Sequence, residues 1–324
     1  MNNIVVTATP QMPVCLRSLR QAIGAGCSVT VVPLAFGEMS CGVRESHWQA
    51  VARADALLVR TGVISDELIG RCPALRVIAV HGAGVDQVDV KAATAAGIFV
   101  TNVPGGNAQA VAELTFGLLL ALWRQIPRAD SLVRRGQWEA ARTIGRELAG
   151  KRLGLVGFGH IGQKVASIAA AFGMEVVYWS RAPKESALAR QVTLEALFRT
   201  AQVVSIHLPL TPDTLGMVGR RLLSLMPKDA VLINTARGAI VVEEDLIQAL
   251  TEGCFAGAAL DVFAEEPLGA ESPFLELPNV ILTPHMGGSS QECLERIATV
   301  AGQDMRAVLA GQSPKYAVNT PRQL

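Results

Sequence analysis

Lys151-Arg152-Leu153-Gly154-Leu155-Val156-Gly157-Phe158-Gly159-His160-Ile161-Gly162 decides the fold. An apolar strand runs directly into Gly-x-Gly-x-x-Gly, and a helical pattern follows. Gly157 permits the tight turn, Gly159 lets a pyrophosphate approach the backbone, and Gly162 allows the helix to lie close on the strand. The helix N-terminus then offers N–H groups and a positive dipole end to phosphates. The motif alone is weak, since a glycine-rich turn between strand and helix can exist without a ligand. Here a second strand, Glu175–Trp179, falls where a dinucleotide-binding unit requires it. His160 and Ile161 lie inside the motif and are counted with the cofactor site. As a side chain, His160 reads as a surface or loop residue, as does His47.

The end of that second strand bears on the choice of dinucleotide. An Asp or Glu there holds the ribose hydroxyls of NAD. This chain instead reads Tyr178-Trp179-Ser180-Arg181. An arginine pairs with the extra 2′-phosphate of NADP, which a carboxylate would repel. Ser180 and Arg181 therefore put NADP ahead of NAD, with Lys184 as a further charge. The alternative is that Arg181 is an ordinary solvated loop residue.

Outward from the motif, short apolar runs alternate with helical patterns. Expected strands before it are 4–7, 29–32, 56–59, 77–80 and 98–100, with amphipathic stretches such as Arg44–Arg53 and Asp66–Arg71 between them. A long helical run covers 108–134, followed by a polar stretch over 136–147. After the motif, strands are expected at 203–206, 230–234, 258–260 and 280–282, then a helix from Gln291 and a polar tail over 311–324. This alternation predicts α/β architecture with parallel sheets in two lobes. Asn102–Gly106 and Pro284–Gly288, punctuated by Pro and Gly, are the candidate crossings.

The bulk composition narrows the class. The chain has 324 residues, 50% hydrophobic and 18% charged, with a formal net charge of +1. Disorder is excluded, and no basic cluster favours nucleic acid or an anionic membrane. The cysteines, Cys15, Cys27, Cys41, Cys72, Cys254 and Cys293, contain no Cys-x-x-Cys pair. They read as thiols in a reducing compartment rather than a disulfide framework or metal site. No signal-peptide pattern opens the sequence, and Leu114–Trp123 is short of the ~20 residues a membrane span needs. A cytoplasmic location is expected.

Three later segments place polar residues beside apolar strands: Asn234-Thr235-Ala236-Arg237-Gly238, Leu260-Asp261-Val262-Phe263-Ala264-Glu265-Glu266-Pro267 and Thr283-Pro284-His285-Met286-Gly287-Gly288. In open α/β sheets ligands sit beyond the carboxyl ends of the strands. With these segments the chain resembles the D-isomer-specific 2-hydroxyacid dehydrogenases, in the branch of phosphoglycerate dehydrogenase and glyoxylate/hydroxypyruvate reductase. Val59-Arg60, His81-Gly82-Ala83-Gly84-Val85-Asp86-Gln87-Val88-Asp89 and His207-Leu208-Pro209-Leu210-Thr211-Pro212-Asp213-Thr214 extend the likeness over nearly the whole chain.

The resemblance implies two Rossmann-like, doubly wound domains, one inserted into the other. Residues 1–101 and 289–324 would bind substrate and 102–288 the dinucleotide, usually in a homodimer. It implies hydride transfer between NADP(H), or NAD, and a small 2-keto or 2-hydroxy acid. Arg237, Glu266 and His285 would be catalytic. Arg237 holds the carboxylate, His285 moves the proton and Glu266 orients His285. Arg60, Ala83 and Gly84 would meet the substrate, although a capping role for Arg60 stands beside this. Asp261 would contact the nicotinamide carboxamide near Thr235, Ala236, His285 and Gly287, and His207, Pro209 and Thr214 would line the cofactor's other side. His81 opens the substrate-loop motif or only fills the core. His207 is structural or adjacent to the cofactor.

Reduction of glyoxylate or hydroxypyruvate is the preferred activity. The alternatives are 3-phosphoglycerate, 2-ketogluconate or phosphite on the same scaffold, or a non-catalytic dinucleotide sensor like the family's co-repressors. No metal is expected. Glu266 argues against formate dehydrogenase, which carries Gln there, and the absence of extra tails argues against a sensor.

Overall fold

The computed structural model describes residues 1–34 and 45–321. Cys41, Arg44 and the last three residues of the expected tail lie outside that range. Packing divides the chain into two compact units, Met1–Asn107 with Gly288–Leu324, and Ala108–Gly287.

The first unit is built on β1 (Asn2–Thr7), β2 (Cys27–Val32), β3 (Ala56–Val59), β4 (Val77–Val80) and β5 (Phe99–Thr101). They form a parallel sheet in the order β2-β1-β3-β4-β5. The central strands β3 and β4 are buried along their whole length, which is why they read as unbroken apolar runs. Between the strands lie α1 (Leu16–Ile23), α2 (Glu45–Ala52), α3 (Asp66–Gly70) and α4 (Val90–Ala95). Ser65 and Asp89 cap α3 and α4 by accepting from Leu68 N and Ala92 N.

The second unit begins with α5 (Ala108–Trp123), α6 (Ile126–Arg134) and α7 (Trp138–Ala141). Its sheet comprises β6 (Arg152–Val156), β7 (Glu175–Trp179), β8 (Arg190–Gln191), β9 (Val203–Ile206), β10 (Val231–Asn234), β11 (Gly257–Leu260) and β12 (Val280–Leu282). They are parallel, in the order β12-β11-β10-β9-β6-β7-β8. The remaining helices of this unit are α8 (His160–Ala171), α9 (Leu194–Thr200), α10 (Arg220–Leu223) and α11 (Glu243–Thr251). One buried cluster joins the sheet to α5 and α8, and another joins it to α9, α10 and α11. Each fully buried Val, Leu or Ile in these layers contributes about 1.5–3 kcal/mol relative to exposure. This is the doubly wound α/β arrangement.

The chain returns to the first unit as α12 (Gln291–Leu309), capped by Ser290. Gly302 of α12 lies so close to α1 that a Cβ there would come within 2.8 Å of Ala22. No described helix is long and apolar enough to cross a membrane.

Local structure departs from the sequence reading in a few places. The run 108–134 is two helices, not one. Gln125 turns left-handed at φ 51°, and Pro127 in the first turn of α6 suits a new helix start. The polar stretch 136–147 contains the short helix α7. The edge strand β8 is only Arg190–Gln191, too short and polar to show a strand pattern. β5 starts at Phe99 rather than Ile98.

Candidate active site

The glycine cradle has the shape its sequence requires. Gly157 follows β6 at φ 105°, and a Cβ there would sit 2.5 Å from the His207 carbonyl oxygen. At Gly162 in α8, a Cβ would meet the Gly157 carbonyl oxygen at 2.5 Å. Gly159, the N-cap of α8, has nothing within 4 Å of where its Cβ would stand. Two glycines thus allow close backbone packing, and the third leaves open space before the helix N-terminus. That is the fit a pyrophosphate needs. His160 is exposed as the first residue of α8 and Ile161 is half-buried.

Beyond β7, Ser180 donates through Oγ to the Ala182 carbonyl at 2.6 Å. Arg181 is exposed and pairs with Asp213 at 3.3 Å. An ion pair so open to water contributes little to stability, so the guanidinium can change partner at small cost. Beyond β9, the buried His207 ring shares a 2.9 Å hydrogen bond with Ser205 Oγ. Burial pulls its pKa down to about 3, so the ring is neutral at ordinary pH. Thr214 Oγ1 donates to the Pro209 carbonyl at 2.7 Å and accepts from Thr211 N at 2.8 Å, closing the turn after His207.

Three loops at the carboxyl ends of β10, β11 and β12 carry the charged residues. Asn234 shapes the first: its Oδ1 accepts from Ala236 N and its Nδ2 donates to the Arg237 carbonyl. Arg237 Nη1 donates to the Ala236 carbonyl at 2.7 Å, and Thr235 Oγ1 lies 3.3 Å from Thr115 Oγ1. Gly238 brings this loop against the next. A Cβ at Gly238 would fall 1.9 Å from the Phe263 carbonyl carbon, so only glycine fits without backbone movement.

The second and third loops meet through Glu266 and His285. Glu266 Oε1 accepts from Phe263 N at 2.9 Å, and Oε2 lies 2.7 Å from His285 Nδ1. One oxygen is anchored to backbone while the other fixes the ring, which leaves Nε2 to point away from Glu266. His285 itself stands at φ 50°. Asp261, at the end of β11, accepts from Thr283 Oγ1, Met286 N and Gly287 N. Burial pushes the Asp261 carboxyl pKa up, against the pull of those donors and of the charge on His285.

Arg60, Ala83 and Gly84 belong to the first unit. Arg60 follows β3, and its Nη2 donates to Ser289 Oγ at 3.2 Å. Burial lowers its pKa, opposed by the neighbouring Cys293. Ala83 and Gly84 follow β4 in a half-buried loop, tied down by Asn102 Nδ2 donating to the Ala83 carbonyl at 2.6 Å. His81 is buried, and burial together with the Arg60 charge lowers its pKa to about 3. Thr283, Asn234 and Gly238 are structural supports that residue type alone does not single out. Among the described residues no cluster of His, Cys, Asp or Glu could hold a metal.

A glycine cradle for a dinucleotide and an imidazole held by a carboxylate, both on one parallel sheet, are the parts of a dinucleotide-dependent oxidoreductase. Residues 116–287 match the model of the D-isomer specific 2-hydroxyacid dehydrogenase NAD-binding domain. A glyoxylate reductase of Thermococcus litoralis is 42% identical over 283 residues, covering 84% of this chain and 85% of that one. A D-3-phosphoglycerate dehydrogenase of Methanocaldococcus jannaschii is 42% identical over 291 residues, covering 88% of this chain but 55% of its own length. The match thus spans little more than half of that relative. Among solved structures, an NADPH-dependent glyoxylate/hydroxypyruvate reductase of Sinorhizobium meliloti, in complex with NADP and malonate, superposes with a TM-score of 0.85. It is 30% identical and the match covers 100% of this chain and 99% of that one.

The chain belongs to the D-isomer-specific 2-hydroxyacid dehydrogenase family. Its reaction class is hydride transfer between a nicotinamide cofactor and a 2-hydroxy or 2-keto acid.

Proposed function

We propose that this protein is an NADPH-preferring reductase of glyoxylate and hydroxypyruvate. The observation that carries the proposal is the 2.7 Å contact between His285 Nδ1 and Glu266 Oε2. When bound, the cofactor supplies the hydride to the carbonyl carbon. His285 Nε2 gives the proton to the carbonyl oxygen and takes it back in the reverse direction. Glu266 accepts a hydrogen bond from Nδ1–H, which holds the ring orientation and the tautomer. Arg237 binds the substrate carboxylate with its planar fork and polarises the adjacent carbonyl.

Gly157, Gly159, His160, Ile161 and Gly162 hold the pyrophosphate, and Asp261, Thr235, Ala236 and Gly287 border the nicotinamide. His207, Pro209 and Thr214 line the other side of the cofactor. Arg60, Ala83 and Gly84 keep the substrate-binding role their motif implies, with 1–101 and 289–324 as the substrate-binding domain and 102–288 as the dinucleotide-binding domain.

The preference for NADPH rests on Ser180 and Arg181, which stand where a ribose-binding carboxylate would exclude the 2′-phosphate. Arg181 would exchange Asp213 for that phosphate. Arg181→Ala is expected to weaken NADPH binding by about 10–100-fold, the loss of one to two charge-assisted hydrogen bonds, and to leave NADH binding unchanged. Fluorescence titration with each cofactor checks this; equal losses for both would remove the assignment. Loss of absorbance at the reduced-nicotinamide band, with glyoxylate or hydroxypyruvate and either NADPH or NADH, tests the function as a whole. Oxidation of 3-phosphoglycerate in preference to D-glycerate would transfer the assignment to the other named relatives.

A homodimer in the cytoplasm completes the reading. The free thiols Cys15, Cys27, Cys72, Cys254 and Cys293 suit a reducing compartment. Helices α6 and α7 bury no residue of their own, and Trp138 and Ile144 nearby are 62% and 98% exposed. This arm also mixes Arg128, Arg134, Asp130 and Glu139, so two copies related by a two-fold axis can match apolar and charged positions. Sedimentation velocity reads the dimer directly.

A further inference from the structure

We infer that Tyr178 is a positioning residue for cofactor choice, whose buried hydroxyl sets the Ser180–Arg181 turn to receive the 2′-phosphate of NADPH. The inference rests on the reading of that turn as the 2′-phosphate site. Tyr178 acts through the turn rather than on the cofactor itself. The turn has no core of its own. Residues 181–188 are all exposed, so burial of apolar side chains does not fix their backbone. The pair of Arg181 with Asp213, at 3.3 Å and open to water, adds little order. A loop that must be ordered on binding subtracts that cost from affinity.

Tyr178 supplies the hold. It lies one residue before the end of β7 and is 1% exposed. Its hydroxyl donates to the Lys184 carbonyl and accepts from Lys184 N at 3.0 Å. One phenol oxygen thus engages both backbone groups of Lys184. That closes the segment 178–184 into a loop that contains Ser180 and Arg181. Phenylalanine would fill the same core volume, so packing does not account for the hydroxyl. A second tie lies at the surface, where Gln191 of β8 donates through Nε2 to the Ser180 carbonyl at 3.1 Å.

The tyrosine ring is anchored in turn by the glycine cradle. It stacks on Phe158, the buried residue between Gly157 and Gly159, with centroids 4.1 Å apart and planes 16° from parallel. The same side chain therefore runs from the glycine motif to the turn after β7 and sets the spacing between them. A dinucleotide with a 2′-phosphate must place that group and its pyrophosphate at once, whereas NADH meets the turn only through its ribose hydroxyls. The hydroxyl of Tyr178 accordingly bears on NADPH more than on NADH.

The test is fluorescence titration of the full chain with NADPH and with NADH, read as the ratio of the two dissociation constants. Tyr178→Phe keeps the ring and its stack on Phe158 and removes only the hydroxyl. It should weaken NADPH binding by about tenfold, the loss of two hydrogen bonds, and leave NADH binding unchanged. Gln191→Leu removes the surface tie and should shift the ratio the same way by about threefold. Placed on an Arg181→Ala background, Tyr178→Phe should weaken NADPH by much less than tenfold, because the main group it positions is gone.

Equal losses of NADPH and NADH in Tyr178→Phe would make the hydroxyl a support of the fold alone and overturn the inference. An unchanged ratio in that variant, or a fully multiplicative loss in the double variant, would overturn it as well. Gln191→Leu decides the matter if Tyr178→Phe does not fold: an unchanged ratio there shows that tying the turn does not govern cofactor choice. Equal losses of both cofactors in the single variant Arg181→Ala would instead remove the 2′-phosphate assignment beneath the inference, an outcome visible before Tyr178 is touched.

Discussion

His285→Ala is expected to lower kcat for keto-acid reduction by about 10³-fold, within the range a positioned general acid contributes. Hydride arrival leaves negative charge on the carbonyl oxygen, and without a proton donor that charge must be met by water or by Arg237 alone. NADPH affinity should be unchanged, because on the proposed assignment the phosphates would be held at the glycine cradle by backbone and not by His285. The measurement is kcat under saturating NADPH and glyoxylate, together with cofactor titration by fluorescence. A variant that loses NADPH binding in proportion to turnover would show His285 to be a structural support of the cofactor site. Residual activity is expected, since carboxylate binding and cofactor alignment survive the substitution.

Arg237→Ala is expected to lower kcat/KM by about 10²–10⁴-fold, taking two hydrogen bonds to a charged group at about 1.5–3 kcal/mol each. Arginine meets a carboxylate as a planar fork, and Asn234 and Gly238 shape the loop that carries it. Arg237→Lys should recover only a small part of the loss, because an ammonium restores the charge but not the paired geometry. Initial rates over a range of glyoxylate concentrations separate the two. The arginine assignment fails if lysine restores full kcat/KM, since any cation would then suffice.

The parallel sheets were legible because buried parallel strands are written as continuous apolar runs. β3, β4, β6, β7 and β9 end where those runs end. The break between α5 and α6 was not legible, because Leu, Ala, Trp and Arg continue a helical pattern up to Arg124 and the chain turns only at Gln125. β8 was not legible for the opposite reason: two polar residues at a sheet edge carry no period. In the site, residue type and motif nominated Glu266 and His285. Their hydrogen bond joins two loops that follow different strands, and a linear pattern does not state which atoms meet. Thr283 carries no signal of its own, because a threonine before Pro-His looks like ordinary loop chemistry.

By itself the sequence determined the α/β class, the dinucleotide cradle and the family. Each is encoded locally, in runs of apolar side chains, in glycines that a turn demands, and in short motifs beside strand ends. Only the tertiary structure decided how the chemistry is held. It turned His285 to a left-handed φ, set both oxygens of Asp261 on the loop around it, gave Gly238 no room for a side chain, and paired Arg181 with Asp213. These are contacts between segments far apart in the chain. Burial and hydrogen-bond geometry select them from many pairings that the same residue types would allow.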